Sequence, residues 1–596
     1  MPSQPKRWKV YPPLTDSFRA CFPDIHPLIL QILHNRRITD TADVETFLGR
    51  SLVFDNPFRL TGVNEAVTRI RQAIANGESI AVYGDFDADG VTATALLTQT
   101  LEAIGAQVQP YIPHRVDEGY GLHAEALTKL AQQGIQLVIT VDCGIRSVEE
   151  VTQARELGLD VIITDHHSVG EKLPPAVAVI NPKLKGCSRT FKDLAGVGVA
   201  FILAQALLRV ERSMRPRNAG PALLKEEDLL DLVAIGTVAD VVPLLGMNRR
   251  LVQRGLEQLN PPLPQDAKKE RSRYDYPQRI GLRALMQKAG VKPGEVNAVA
   301  IGFRLGPRLN AAGRLSSAML SYNLLRTTDD AQGAELAQTL DELNRRRQQL
   351  TLETLEQVQA EIEEEREEDA FLYLVAGKDI LAGIAGLVAG RLTEALYRPT
   401  VVVERGKDSS RGSARSIPEF NITTALDRCV DLLESHGGHA AAAGFKMKTE
   451  DLPELKAELQ EIAKIKLSEE EELVPTLAID AEVRLEELNW ATYALLQQFE
   501  PCGHDNPTPL LVSRDVQVRD HRTVGAEGRH LKLTLSDGSK AWDSIAFRQG
   551  EWASQMPKRI DVAYTLEMNK WNDRSRLQLN VVDLRPSGGY TSHDCQ

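Results

Sequence analysis

Three aspartates at alternate positions, Asp85, Asp87 and Asp89, close the stretch Ile80-Ala81-Val82-Tyr83-Gly84-Asp85-Phe86-Asp87-Ala88-Asp89-Gly90. Three carboxylates within five residues repel one another, and burial raises that cost unless a cation offsets the charge. One or two hard divalent metal ions are the simplest offset. An acidic helix-start turn and a calcium loop are the competing readings. The calcium loop needs more oxygen ligands and a closing Glu, which residues 91–100 do not supply. Further polar groups end other apolar runs: Asp142 after Leu137-Val138-Ile139-Thr140-Val141, and Asp165-His166-His167 after Val161-Ile162-Ile163-Thr164. Asp240 closes a fourth run, Ala234-Ile235-Gly236-Thr237-Val238-Ala239. A solitary histidine is usually a satisfied core residue. Asp-His-His beside three other acidic run-ends has the composition of a metal centre. Mixed carboxylate and imidazole donors without thiolate suit Mn²⁺, with Mg²⁺ as the alternative.

Such residues must be gathered by their elements. Strands are expected near 79–84, 108–113, 137–141, 161–164 and 177–180, with helices near 91–104, 123–133 and 148–157. Strands separated by single helices imply right-handed crossovers and an α/β fold with a parallel, doubly wound sheet. Ligands of such sheets sit at the carboxyl ends of the strands, where all four run-ends fall. Arg115 follows a strand on the same edge. Arg308, Asn310 and Arg314 lie in Gly306-Pro307-Arg308-Leu309-Asn310-Ala311-Ala312-Gly313-Arg314, whose glycines and proline read as a loop offering phosphate contacts.

The rest of the chain is organised around this region. Residues 1–50 read as a helical lead-in punctuated by Pro12, Pro13, Pro23 and Pro27; 51–330 form the catalytic domain; 331–369 keep helical spacing as one long connecting helix. A second α/β domain is expected over 370–468, with a linker at the acidic run Glu469–Glu472. Over 473–596, short strands suggest a small β-barrel. Trp490, Trp542, Trp552 and Trp571 fall there with Lys540, Arg548, Lys570, Arg574 and Arg576, a composition suited to stacking bases of a single strand, although about two of the aromatics are expected in the core.

With 596 residues, three or four domains are expected. The net charge of −12 lacks the basic footprint of a general nucleic-acid binder, but much of the acid sits in residues 361–369 and 469–472. Locally, residues 391–415 carry an excess of arginine and lysine. Six cysteines without a CxxC pair argue against zinc ribbons and disulfide frameworks and fit a reducing cytoplasm. The N-terminus lacks the apolar core of a signal peptide, and the most apolar stretch, near 229–245, is interrupted by Asp231 and Asp240, so no membrane span is expected.

In order and context, Asp85-Phe86-Asp87-Ala88-Asp89-Gly90, Asp142, Asp165-His166-His167 and Gly236-Thr237-Val238-Ala239-Asp240 resemble the four motifs of the DHH phosphoesterase superfamily. Ser413-Ala414-Arg415-Ser416-Ile417-Pro418 and Gly437-Gly438-His439-Ala440-Ala441-Ala442-Ala443-Gly444-Phe445 resemble the DHH-associated domain. Together with 306–314 they are similar to the RecJ family of bacterial single-strand DNA exonucleases, over about residues 50–590. The resemblance implies two ions acting on a phosphodiester. Asp142 would bridge them, Asp87 with Asp85 would complete one site, and Asp89, His166 and Asp240 the other. Asp165 would orient His166, and His167 would contact the scissile phosphate. Ser413, Arg415 and His439 would bind the nucleotide chain or its 5′ phosphate, and the barrel would be an OB fold. It further implies 5′→3′ exonuclease action on single-stranded DNA in a narrow cleft between two α/β domains, in repair and recombination. The enzyme would be a monomer working with a single-strand binding protein and a helicase. Two departures stand out: Asp85 where many relatives carry His, and Ile380-Leu381 where they carry Trp-His. Rival readings are a DHH phosphodiesterase for short oligoribonucleotides or cyclic dinucleotides, disfavoured by the length and the barrel, and an inactive nucleic-acid-binding scaffold, disfavoured by four intact motifs.

Overall fold

The computed structural model describes all residues except 1–4, 50–55, 116, 216–223, 261–278, 365–369, 470–472, 572–573 and 589–596, together with the side chains of Arg189 and Trp571. The chain divides into two compact units. One comprises Gly49–Thr354 with Gly503–Asp505; the other comprises Met1–Leu48, Leu355–Cys502 and Asn506–Gln596.

The first unit is built on five parallel strands in the order Gln107–Tyr111, Ser79–Gly84, Ile135–Val141, Asp160–Thr164, Ala178–Ile180. The central strands are nearly continuous apolar runs because helices cover both faces of the sheet. The winding reverses between Ser79–Gly84 and Ile135–Val141. That switch point leaves a crevice at the carboxyl ends of these two strands, because their crossover connections depart to opposite sides.

A buried helical layer packs on one face, formed by Ala88–Ala103, Gly196–Met214 and Leu230–Ala239. Its core joins Val82, Leu96, Ile139, Phe201 and Val233. Here one expectation is corrected. The apolar run ending at Asp240 is a helix, Leu230–Ala239, with Asp240 at its C-cap. A short run buried on all sides carries no periodicity to separate helix from strand. A second correction concerns Arg308, Asn310 and Arg314. They lie on a helix, Gly306–Leu315, that continues a π-helical turn at Ile301–Leu305. Pro307 directly follows the π-helical turn, where the regular helical hydrogen-bond ladder is already interrupted. Gly313 is small because a Cβ there would lie 2.2 Å from the Phe86 carbonyl oxygen. The residues that read as loop punctuation therefore lie inside a helical run, and Gly313 lets it approach another backbone. The long connecting helix spans Asp330–Glu364, and the end expected for it, 365–369, lies outside the described residues.

The second unit contains a five-stranded sheet ordered Ser435–His439, Ala442–Lys448, Ser409–Arg415, Thr400–Glu404, Tyr373–Gly377. Only the last two strands are parallel, joined by the helix Ala382–Leu396; the other neighbours are antiparallel. Further on, Leu511–Val524, His530–Ser536, Ala541–Ala546, Arg574–Pro586 and Arg559–Trp571 pair in turn. The last pairs back onto Leu511–Val524, closing a five-stranded barrel.

The N-terminal segment does form helices, Asp16–Ala20, Pro27–Asn35 and Thr41–Phe47, but it opens with a strand, Arg7–Val10, that the helical expectation missed. This strand pairs in parallel with Thr476–Ile479. Trp8 packs with Ile479, Leu510, Val512 and Ala563, and its indole N–H donates to Asp583 Oδ2 at 2.7 Å. Part of the proposed linker, 470–472, lies outside the described residues. Among the described residues, no helix is long and apolar enough to cross a membrane.

Candidate metal centre

The carboxyl ends of three neighbouring strands deliver the acidic motifs to one place. Asp85 to Asp89 follow Ser79–Gly84, Asp142 follows Ile135–Val141, and Asp165-His166-His167 follow Asp160–Thr164. Asp240 arrives from the helix layer. Donor atoms of Asp85, Asp87 and Asp142 lie within 4.8 Å of one another, and so do those of Asp89, His166 and Asp240. A third such group, Asp142 with His166 and His167, overlaps both. His166 Nε2 is 3.1 Å from Asp142 Oδ1 and 3.6 Å from Asp240 Oδ2.

Backbone donors hold these carboxylates. Asp89 accepts the N–H groups of Gly196 (2.7 Å) and Val197 (2.9 Å), the first of the helix Gly196–Met214, a terminus that favours negative charge. Asp142 has φ of +63°, in the left-handed region that Asp tolerates better than most side chains. A Cβ on Gly196 would lie 2.6 Å from Asp142 Oδ1, so the helix start and the carboxylate are in close contact.

Charge and burial set the protonation of the metal-free site. Burial first, then Asp87, pushes Asp85 up to about 8. Burial and Asp87 push Asp89 up to about 7, against the pull of the Val197 and Gly196 N–H groups. Asp142 and Asp240 are raised well above the carboxylate range by burial and then by Asp89 and Asp87. Asp165 moves the other way: burial would raise it, but its hydrogen bond and charge interaction with His167 hold it below the ordinary value. His167 is correspondingly raised, Asp165 outweighing the burial that opposes it.

Asp165 corrects a second-sphere expectation. Its Oδ1 takes the His167 ring N–H at 2.7 Å and the backbone N–H groups of His166 and His167, so the ring it orients is that of His167, not His166. Asp85 Oδ1, Asp142 Oδ1 and Asp240 Oδ2 are buried without a hydrogen-bond partner among the described residues. Five crowded carboxylates, three of them with unsatisfied oxygens, and an imidazole fit a divalent cation site.

Of the remaining predicted residues, Arg115 lies beside the centre, its guanidinium 4.6 Å from the Phe86 ring centroid. Burial lowers its pKa while Asp85 and Asp87 oppose that. Asn310 Oδ1 accepts the Ala88 N–H at 2.7 Å. Arg308 points elsewhere and pairs with Asp341, and Arg314 lies half-buried in the last turn of the same helix. In the second unit, Arg415 and His439 both flank Ala442 in the strand register, and Arg415 Nη1 is 3.5 Å from Ser413 Oγ. In the barrel Trp542 is core, Trp552 is half-buried and Trp490 is exposed. Lys532, Asn569, Arg574, Arg576 and Gln578 line a groove of about 680 Å³ there.

Sequence reasoning missed two neighbours of the centre. The Tyr120 hydroxyl lies 3.0 Å from His167 Nδ1, in a segment with no motif around it except flanking glycines. Asn181 donates to the His167 carbonyl at 3.0 Å; it ends the strand Ala178–Ile180, and the strand-end logic used for the other motifs would have found it.

Comparison with known proteins covers most of the chain. The profile of the DHH family, N-terminal domain, matches residues 79–237, that of the DHHA1 domain 368–465, and that of the RecJ OB domain 479–583. The chain is 37% identical over 588 residues to the single-stranded-DNA-specific exonuclease RecJ of Bacillus subtilis (strain 168), covering 98% of this chain and 71% of that protein. The RecJ of Escherichia coli (strain K12) is 33% identical over 586 residues, covering 94% and 96%. The crystal structure of RecJ from Thermus thermophilus in complex with Mn²⁺ superposes with a TM-score of 0.80 at 31% identity, covering 98% of this chain and 81% of that one. Its complex with Mg²⁺ gives 0.74 at 29% identity, covering 98% and 80%. The three matched domains follow one another along nearly the whole of this chain, and the chain belongs to the RecJ family.

Proposed function

We propose that this chain is a metal-dependent exonuclease that hydrolyses phosphodiester bonds of single-stranded DNA from the 5′ end, in DNA repair and recombination. The observation that carries the reading is the convergence of two donor groups, Asp85–Asp87–Asp142 and Asp89–His166–Asp240, at the switch point of the parallel sheet in a chain of this family. The two groups would hold two ions, Mn²⁺ or Mg²⁺, with Asp142 shared between them. Bound there, the ions would polarise the scissile phosphate and lower the pKa of the attacking water.

The chain's own residues do the rest. The Asp165 carboxylate beside His167 fixes its ring and favours its protonated form, so that the imidazole is presented to a phosphate oxygen. Arg115, held over Phe86, places a positive charge beside the acidic loop. Ser413, Arg415 and His439 bind the nucleotide chain or its 5′ phosphate. The barrel groove gathers single-stranded bases and backbone. A single-strand binding protein and a helicase supply the substrate, and the chain acts as a monomer in the cytoplasm.

Two measurements test this. Asp142→Ala in saturating Mn²⁺ should show no hydrolysis above background, and retained turnover would sink the metal assignment. With single strands labelled at one end, 5′-labelled mononucleotide should appear at once and 3′-labelled mononucleotide only after complete digestion. Immediate release of the 3′ label would reverse the polarity.

A further inference from the structure

We propose that Asn310 is a positioning residue for Asp87, and that the Arg308–Asp341 pair fixes the helix that carries it. The proposal rests on reading Asp85, Asp87 and Asp142 as one metal group.

The argument starts from the first turn of the helix Ala88–Ala103, whose leading N–H groups have no partner within the helix. The N–H groups of Asp89 (2.9 Å) and Gly90 (3.1 Å) both donate to Oδ1 of Asp87, the N-cap, and that of Val91 donates to the Asp87 carbonyl. The Ala88 N–H remains, and Asn310 Oδ1 accepts it at 2.7 Å. With every donor of the turn satisfied, Asp87 commits one carboxylate oxygen to the cap and keeps the other for a cation. Without the Asn310 acceptor, the Ala88 N–H would lack a partner beside that same carboxylate. Asp87 would then turn toward it or the first turn would fray, and either change moves an oxygen of the metal group.

The helix Gly306–Leu315 is anchored on its other side. Residues 308 and 310 point about 200° apart around a helix axis, so Arg308 faces away from the acidic loop. Its Nε (2.9 Å) and Nη2 (2.8 Å) donate to Oδ1 of Asp341, which is 1% exposed, and Arg345 Nη2 lies 2.8 Å from Oδ2. Both Arg308 groups meet one oxygen and Arg345 the other, so a buried carboxylate ties this helix to its neighbour through charge-assisted contacts. Gly313 brings the same helix against the Phe86 carbonyl. The helix is therefore seated between the long helix on one side and the acidic loop on the other. The Asn310 carbonyl oxygen and the Arg308 guanidinium, both expected to meet phosphate, are engaged in this seating.

The test is calorimetric titration of MnCl₂ into the metal-stripped full-length chain, beside steady-state kinetics on single-stranded DNA. Asn310→Ala should weaken Mn²⁺ binding about tenfold, as loss of a partner that orients a ligand typically does. It should raise the Mn²⁺ needed for half-maximal activity in parallel, with kcat at saturating Mn²⁺ within about threefold of wild type and KM for DNA unchanged. Asn310→Asp keeps an acceptor and should bring Mn²⁺ affinity back. Asp341→Asn should shift affinity in the same direction as Asn310→Ala by a smaller factor, and it carries the test if Asn310→Ala does not fold. Wild-type Mn²⁺ affinity in both Asn310→Ala and Asp341→Asn, or a raised KM for DNA at saturating Mn²⁺ in place of the affinity change, overturns the positioning role. A wild-type chain that binds no Mn²⁺ overturns the metal group itself and this role with it.

Discussion

The acidic edge of the first unit and the basic strands of the second hold their charges in opposite ways. Asp85, Asp89, Asp142, Asp165 and His166 are buried, and helix N-terminal N–H groups, a strand-end backbone and a neighbouring glycine define where each carboxylate sits. Ser413 and Arg415 are half-buried and His439 is exposed, and strand register sets Arg415 and His439 on either side of Ala442. Burying like charges costs stability and returns geometry fixed before any ligand arrives. Half-exposed cations cost little and adapt to a flexible phosphate chain. The first region should therefore govern kcat and the second KM.

The sharpest way to break this contrast leaves every charged group in place. Gly196→Ala puts a methyl group 2.6 Å from Asp142 Oδ1. It should lower kcat about 100-fold or more, about 3 kcal/mol of transition-state stabilisation, with KM for DNA changed little. An unaltered kcat would mean that the buried geometry is not what sets the rate.

Arg415→Ala tests the other side. It should raise KM for 5′-phosphorylated single strands about tenfold, about 1.4 kcal/mol, with kcat within about twofold. A kcat defect of equal size would place Arg415 at the reacting phosphate and erase the distinction between the regions.

The smallest effect is on stability. Without metal, Asp85 is pushed up to about 8 and Asp89 to about 7, whereas an unfolded aspartate titrates near ~3.9. Between those values the folded chain holds protons that the unfolded chain has released, so stability is lost as pH rises from about 4 to about 8. The melting temperature of chelator-treated protein should fall by a few degrees from about pH 5.5 to about pH 8, and excess Mn²⁺ should restore it, because metal replaces the protons at the same oxygens. Asp85→Asn should flatten the pH trend. A wild-type melting temperature that does not move with pH would show that the crowding is already relieved in the metal-free protein.

Much of the centre was legible because its residues end apolar strands, and a parallel sheet gathers such ends at one edge. Asp142 and the Asp165-His166-His167 trio needed only that rule. Asp240 was legible as a member but not as the end of a helix, since an apolar run buried all round looks the same in either state. Arg308 and Asn310 read as loop residues because glycine and proline surround them, whereas Pro307 follows a π-helical turn and Gly313 permits the helix to approach Phe86. Tyr120 carried no signal, for its role depends on a fold-level encounter with His167. The parallel sheet and the barrel were legible from spacing and resemblance. The strand Arg7–Val10 was not, because four residues declare nothing without their partner.

That strand has a consequence for how the protein is made. Its partner, Thr476–Ile479, leaves the ribosome about 470 residues later, which at about 5–20 residues per second is a wait on the order of 25–95 s. Throughout that interval Trp8 lacks Ile479, Leu510, Val512 and Ala563, the other buried side chains of its cluster. Synthesis thus produces one edge of this small core about 470 residues before the rest of it. A fusion or deletion near Arg7–Val10 would register as a defect in the distant barrel region.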